Sequence, residues 1–173
     1  MTREKAPRYA FRPLAEGDLP LLDRWFRQPH VREWWDDADK GAAVIASHID
    51  SDSVEPLIAE LDGKPIGYIQ NYDPHLEDDH PYADQPFGTL GIDLFIGEPA
   101  LVGKGHGPAL MRRLCELLFE EGAPRVVADP DPRNVRAVRA YEKAGLLPLG
   151  ERRSRYGHVL LMASDAPGGE DDI

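Results

Sequence analysis

The segment that most constrains this chain is Val102-Gly103-Lys104-Gly105-His106-Gly107, because it lies between a run of strand length at 89–96 and an amphipathic pattern at 108–121. Three glycines at alternate positions let successive backbone N–H groups turn toward one anion, and the helix that follows adds the positive end of its dipole. A pyrophosphate is the natural guest; a plain flexible turn is the other reading. The spacing departs from two better-known phosphate loops. A Walker loop has four residues between its glycines and then Lys-Ser/Thr, and a dinucleotide fingerprint reads G-x-G-x-x-G. Here G-x-G-x-G runs into Pro108.

The rest of the chain supplies a sheet for this junction. Residues 9–14 read as a strand, and Asp18 is a candidate N-cap ahead of Leu19, Leu22 and Phe26 at helical spacing. A helical turn at 31–35 and a second helix headed by Asp39 follow. The period then changes: apolar runs at 54–61 and 64–72 flank Asp62-Gly63, a hairpin signal because a tight primed turn needs positive φ. Residues 73–87, rich in Pro, Asp and His, read as a long loop. Beyond the helix at 108–121 come a short strand at 125–128, a helix at 134–144 closed by Gly145, and strands at 147–153 and 158–163. The order β-α-α-β-β-β-α-β-α-β-β predicts an α/β fold, a mixed sheet with helices on its faces. One domain is expected at 9–163, between loose tails at 1–8 and 164–173.

Charge narrows the function. Twenty Lys and Arg against 31 Asp and Glu leave a formal charge of −11 over 173 residues. Such a chain repels phosphate backbones, so nucleic acid is not an expected partner, and it attracts cations. No run approaches the roughly 18 apolar residues of a membrane span, and residues 1–8 lack the apolar core of a signal peptide. The expected location is cytoplasmic and the expected assembly a monomer or homodimer. The single Cys115 excludes an internal disulfide and, mid-helix among leucines, reads as a packed thiol.

A second motif is Asn134 followed by Tyr141-Glu142-Lys143-Ala144-Gly145. Asn134, Val138, Tyr141 and Gly145 recur at helical spacing and share a face, so Tyr141 is aimed where Asn134 points. With the glycine loop and the element order, this motif resembles the GNAT superfamily of acyl-CoA-dependent N-acetyltransferases. Pro29-His30-Val31-Arg32-Glu33-Trp34-Trp35, Pro65-Ile66-Gly67-Tyr68, Gly91-Ile92-Asp93 and Asp129-Pro130-Asp131-Pro132-Arg133-Asn134 are similar to its aminoglycoside 6′-N-acetyltransferase branch. Siderophore-type lysine N-acyltransferases are close cousins that typically carry His where this chain has Asp93.

The resemblance implies an enzyme that moves acetyl from acetyl-CoA, without a metal, to a primary amine of a small polycation, above all the 6′-amine of an aminoglycoside. The CoA would lie in a crevice between the fourth and fifth strands. It would be held by Leu94, Phe95, Ile96, Val102, Gly103, Lys104, Gly105, His106, Gly107, Asn134 and Tyr141. Asp93 would be the base and Tyr141 the proton donor to the departing thiolate, with N–H groups around Leu94 and Phe95 polarising the thioester. Trp34, Trp35, Tyr68, Asp93 and Asp129 would form the acceptor site. The alternatives are a siderophore-type lysine or polyamine N-acyltransferase, and a non-catalytic acyl-CoA-binding module.

Residue chemistry bears on several of these assignments. A carboxylate at Asp93, flanked by Ile92, Leu94 and Phe95, must find a partner or hold its proton. Asp129 is equally compatible with capping a turn. Adjacent Trp34 and Trp35 cannot both face one pocket, so one of them is expected in the core. Asp73, Glu77, Asp78, Asp79 and Asp84 form either a solvated loop or a steering surface for a cation. His75 and His80 lack a clean third ligand, so no metal site is expected.

Overall fold

Asp62 and Gly63 both hold positive φ, 50° and 82°, the turn expected of Asp-Gly. They join β2 (Val54–Leu61) to β3 (Lys64–Tyr72) as an antiparallel hairpin. In the computed structural model, which describes residues 6–35 and 37–168, this hairpin supplies the second and third strands of a seven-stranded sheet ordered β1-β2-β3-β4-β5-β7-β6. The remaining strands are β1 (Tyr9–Pro13), β4 (Leu90–Ile96), β5 (Arg125–Ala128), β6 (Leu147–Ser154) and β7 (Gly157–Asp165). Every neighbouring pair is antiparallel except β4 and β5. The α/β class and the expected order hold.

Strand alternation sends successive side chains to opposite faces, and each face has its own helices. On one face α1 (Leu19–Phe26), α2 (Pro29–Arg32) and α3 (Gly41–Ala46) pack Leu22, Trp25, Phe26, Val31 and Ile45 over Ile58, Tyr68 and Phe95. On the other, α4 (His106–Glu120) and α5 (Val135–Lys143) pack Leu110, Met111, Leu114 and Tyr141 over Leu57, Ile69, Ile92 and Val126. No helix among the described residues is long and apolar enough to cross a membrane.

Four local expectations shift. Asp18 stands at the N-cap position of α1 but its side chain caps no N–H of that helix: its carboxylate accepts from Arg12 Nη1 and Nη2 at 2.8 Å and from the Ala15 N–H at 2.9 Å, tying the start of α1 to β1. α4 begins at His106, so Pro108 falls inside the first turn, where an N–H would go unused. The expected C-terminal tail starts later than 164, because β7 continues to Asp165. There Arg125 Nε donates to Asp165 Oδ1 at 2.6 Å, and the Ala166 N–H bonds Pro124 O. At the other end, Arg8 is tied to the hairpin turn through Asp62. The outermost parts of both expected tails, 1–5 and 169–173, lie outside the described residues.

Gly67 marks a close approach of β3 to β4. A Cβ there would sit 2.5 Å from Phe95 O, a backbone atom that cannot swing aside. Gly67→Ala is therefore expected to lower stability by about 1–3 kcal/mol, the usual cost of overpacking. Urea unfolding measures it, and an unchanged midpoint would mean that the strands part freely at this point.

Candidate active site

Strands β4 and β5 pair only at Leu90 with Val126 and Gly91 with Val127, yet β4 runs on to Ile96. Beyond those pairs the strands separate around a cavity of about 810 Å³. One wall carries Leu94, Phe95 and Ile96, another Asp129, Asn134 and Tyr141, and the glycine loop with Met111 of α4 closes an end. The Gly97 N–H donates to Ile66 O at 2.8 Å within the β3–β4 ladder. Hydrogen bonding alternates along a strand, so Asp93 and Phe95 turn their N–H groups to β3, whereas Leu94 and Ile96 turn theirs into the crevice. The Ile96 carbonyl accepts from His30 Nε2 at 2.8 Å, which seats α2 against the crevice rim.

Two carboxyl groups meet at the fork, Asp93 from β4 and Asp129 just past β5, within hydrogen-bonding reach of each other. Gln70 Nε2 donates to Asp93 Oδ2 at 2.9 Å, and Gln70 Oε1 in turn accepts from the Tyr68 hydroxyl at 2.6 Å. From the opposite side the Tyr82 hydroxyl donates to Asp129 Oδ2 at 2.7 Å. Each carboxyl thus has one oxygen fixed by a neutral donor. Burial raises the pKa of both. The charge of Asp93 raises Asp129 further, to about 8, while the hydrogen bond from Gln70 opposes the rise at Asp93. Like charges this close do not both ionise without a cation, so at neutral pH the pair retains a proton between them.

Tyr141 lines the crevice on the α5 side. Burial, then the charges of Asp93 and Asp129, push its hydroxyl well above its ordinary value, so it stays protonated. Its hydroxyl has no hydrogen-bond partner among the described residues. Asn134 caps α5 by accepting from the Ala137 N–H at 3.2 Å, so the motif residue that aims Tyr141 also starts its helix. In the glycine loop, Gly103 and Gly105 have φ of 76° and 86°, and a Cβ at either would meet nothing within 4 Å. Left-handed backbone facing open space is what a loop needs if its N–H groups are to reach an anion.

Other residues named from sequence lie elsewhere. Lys104 is exposed and is not among the cavity-lining residues. His106 turns away, its Nδ1 bonded to the Tyr9 hydroxyl at 2.8 Å, leaving only its backbone near the loop. Tyr68 is fully buried beneath Phe95 and Trp35 and cannot form an acceptor wall; it supports Gln70 instead. Contrary to the expectation that only one of the adjacent tryptophans could face a pocket, both line the crevice. Trp34 is exposed, while Trp35 packs edge-on to Phe95 at 5.1 Å and to Phe26 at 5.8 Å.

No residue of the 73–87 loop lines the crevice, and three of its five carboxylates have internal partners. Asp73 accepts from the His75 N–H, Glu77 from Ser53, and Asp84 from Arg152. The loop reaches the site through Tyr82, which sequence reasoning missed, as it missed Gln70 and His30. Tyr82 is an aromatic residue in a polar loop, and that contrast is the one signal that could have marked it. Burial pushes the Cys115 thiol up to about 12, in keeping with a packed group. Among the described residues no cluster of three or more His, Cys, Asp or Glu is arranged to hold a metal ion.

A mixed sheet split at its one parallel junction, with a glycine loop at the split, is the architecture this chain shares with solved acetyltransferase structures. The model of the "Acetyltransferase (GNAT) domain" family matches residues 15–153, and the chain belongs to that family of N-acetyltransferases. It is 38% identical over 160 residues to an aminoglycoside N(6′)-acetyltransferase type 1 of Klebsiella pneumoniae, covering 87% of this chain and 80% of that one. An N-hydroxyputrescine acetyltransferase of Acinetobacter baumannii is 33% identical over 161 residues, covering 87% and 76%. Among solved structures, aminoglycoside acetyltransferase AAC(6′)-Ib with coenzyme A and kanamycin superposes with a TM-score of 0.80. It is 34% identical, covering 91% of this chain and 95% of that one.

The carboxyl pair gives stability a definite pH dependence. A raised folded pKa means that the unfolded chain loses its proton first as pH rises, so stability falls from about pH 4 upward until the folded pKa near 8 is passed. Asp129→Asn is expected to flatten that decline and to raise the thermal midpoint at pH 8, by about 2–4 °C per kcal/mol relieved. Thermal unfolding at several pH values measures it. Parallel curves for wild type and variant would show that the carboxyls do not repel.

Proposed function

We propose that this enzyme transfers acetyl from acetyl-CoA directly to a primary amine of a small polycation, with the 6′-amine of an aminoglycoside as the acceptor. The observation that carries this reading is the carboxyl pair at the fork, beside the exposed Trp34. Two convergent carboxyls lose their mutual repulsion when an ammonium group sits between them, and an aromatic face offers a sugar ring an apolar wall.

The chain's own groups then divide the work. Gly103, Gly105 and the start of α4 hold the pyrophosphate, which fixes the thioester against β4. The Leu94 N–H donates to the thioester oxygen, where negative charge grows during attack. Phe95 does not share this role, because its N–H belongs to the β3 ladder. Asp93 takes a proton from the bound ammonium, freeing the nitrogen lone pair to attack the acetyl carbon. As the carbon–sulfur bond breaks, Tyr141 gives its proton to the thiolate and is re-protonated by the second proton that the new amide nitrogen sheds, while Asp93 returns the first to solvent. The N-hydroxyputrescine acetyltransferase similarity supports a second acceptor class, linear polyamines, for the same site.

The experiment is thiol release from acetyl-CoA with kanamycin- and tobramycin-type aminoglycosides, polyamines and hydroxylysine side by side. Aminoglycoside turnover above all other amines is expected; no release with any of them would overturn the reading. Asp93→Asn should lower kcat/KM for the amine by roughly 10²-fold or more, with the loss shrinking at high pH. Tyr141→Phe should lower kcat while leaving acetyl-CoA binding intact, since its proton is needed only as the thiolate leaves. Wild-type turnover in either variant would remove that residue from the mechanism. Gly105→Val should abolish the rise in thermal midpoint that acetyl-CoA produces by binding the folded state; an undiminished rise would place the pyrophosphate elsewhere.

A further inference from the structure

We propose that Tyr82 is a positioning residue for the transfer reaction: its hydroxyl holds Asp129 in the orientation that receives the amine, and Arg152 clamps the 73–87 loop so that the hydroxyl stays in place. The proposal rests on the acceptor reading above. Apart from a single helical turn at Pro74–Leu76, the segment between β3 and β4 has no regular structure. An irregular loop normally keeps its polar groups at the surface. This one instead carries Tyr82 into the interior, fully buried, and ends it on a carboxylate.

Four polar contacts hold the segment around that tyrosine. Arg152, on β6, donates to Pro81 O at 3.2 Å and pairs with Asp84 at 2.8 Å, its guanidinium 5.9 Å from the Tyr82 ring. The Tyr82 N–H donates to His80 Nδ1 at 3.1 Å. Gln85, three residues on, accepts from Arg125 Nη1 at 3.1 Å. A residue from the far edge of the sheet thus fixes a loop whose one link to the crevice is a tyrosine hydroxyl.

The hydroxyl matters because of what else faces Asp129. Asp93 on β4 lies within hydrogen-bonding reach, the hydroxyls of Tyr72 on β3 and Tyr141 on α5 lie within the field of its charge, and Arg152 reaches the loop rather than the carboxyl. Among these, Tyr82 is the group that donates a hydrogen bond to Asp129, and it does so on Oδ2. No other residue with a fixed proton donates to this carboxyl among the described residues, which leaves it open to Asp93 and to an incoming ammonium. A donor on a carboxylate also favours its charged form, the form that attracts the amine.

A purely structural role is the alternative, since the ring packs with Tyr72, Val127, Val159 and Leu161. Tyr82→Phe keeps that packing and removes only the donor. Amine kinetics across the neutral pH range, with direct titration of acetyl-CoA, separate the two roles. In Tyr82→Phe, kcat/KM for the amine should fall about 10–100-fold, the range for losing a hydrogen bond to a charged group. The loss should lie mostly in KM, the acidic limb of the profile should move to higher pH, and acetyl-CoA affinity should not change. Arg152→Gln should shift the same quantities in the same direction by less, and it carries the test if Tyr82→Phe does not fold. In an Asp129→Asn background, Tyr82→Phe should cost little more, because both changes remove one interaction.

Unchanged amine KM and pH profile in both variants, or fully additive losses with Asp129→Asn, would overturn the proposal. Those results leave the acceptor reading standing, since wild-type transfer is measured in the same assay. Absence of wild-type transfer to every amine would overturn both.

Discussion

The pairing of β4 with β5 stops after two residue pairs, and the rest of the site follows from that interruption. Two parallel strands that twist apart leave amide groups facing a gap, and an unpaired buried amide costs free energy that a ligand can recover. His30 satisfies the Ile96 carbonyl, but the Leu94 N–H is left pointing at the space an acyl thioester would enter. The same fork sets one carboxyl on β4 and the other just past the end of β5. The helices that follow β4 and β5 both begin near the opening, as connections at the carboxyl ends of parallel strands do. Loop, carboxyls and tyrosine therefore converge without any of them being adjacent in sequence.

The fork concentrates groups that folding alone does not favour. Asp93 and Asp129 repel each other in a partly buried setting, and the protein tolerates the repulsion by giving each carboxyl a neutral donor. Those donors come from opposite directions, Gln70 from the ladder of β3 and Tyr82 from the long loop. Tyr68 stands behind Gln70 and Arg152 behind Tyr82, so the supporting residues reach from the aromatic core under Trp35 to the outermost strand of the sheet. The proposed function thus rests on a local conflict that the surrounding structure contains.

Local and periodic features were legible in the sequence. The Asp62-Gly63 hairpin, the strand–glycine loop–helix junction and the helical spacing of Asn134 and Tyr141 depend on neighbours a few residues away, and each is in place. Asp93 was legible because an acid in an apolar strand needs an explanation. The unread parts depend on contacts between distant segments. Tyr68 shares a sheet face with Asp93, and alternation alone does not reveal that Phe95 and Trp35 cover it. Nothing near His106 announces that its ring leaves the loop for Tyr9. The 73–87 loop invited attention to its charges, whereas its tyrosine makes the contact, 47 residues away from Tyr82 in the chain.

The shared proton of the carboxyl pair also couples ligand binding to the solvent. Under the proposed function, a cationic amine settling between Asp93 and Asp129 would make the doubly ionised state favourable, so the proton held by the pair would be released as the cation enters. The buffer then takes up that proton. The heat of binding includes the buffer's own enthalpy of protonation, and the apparent affinity for the amine strengthens as pH rises toward the value at which the empty pair would lose the proton unaided. An enzyme built this way is an acid–base partner of its medium before any acetyl group has moved.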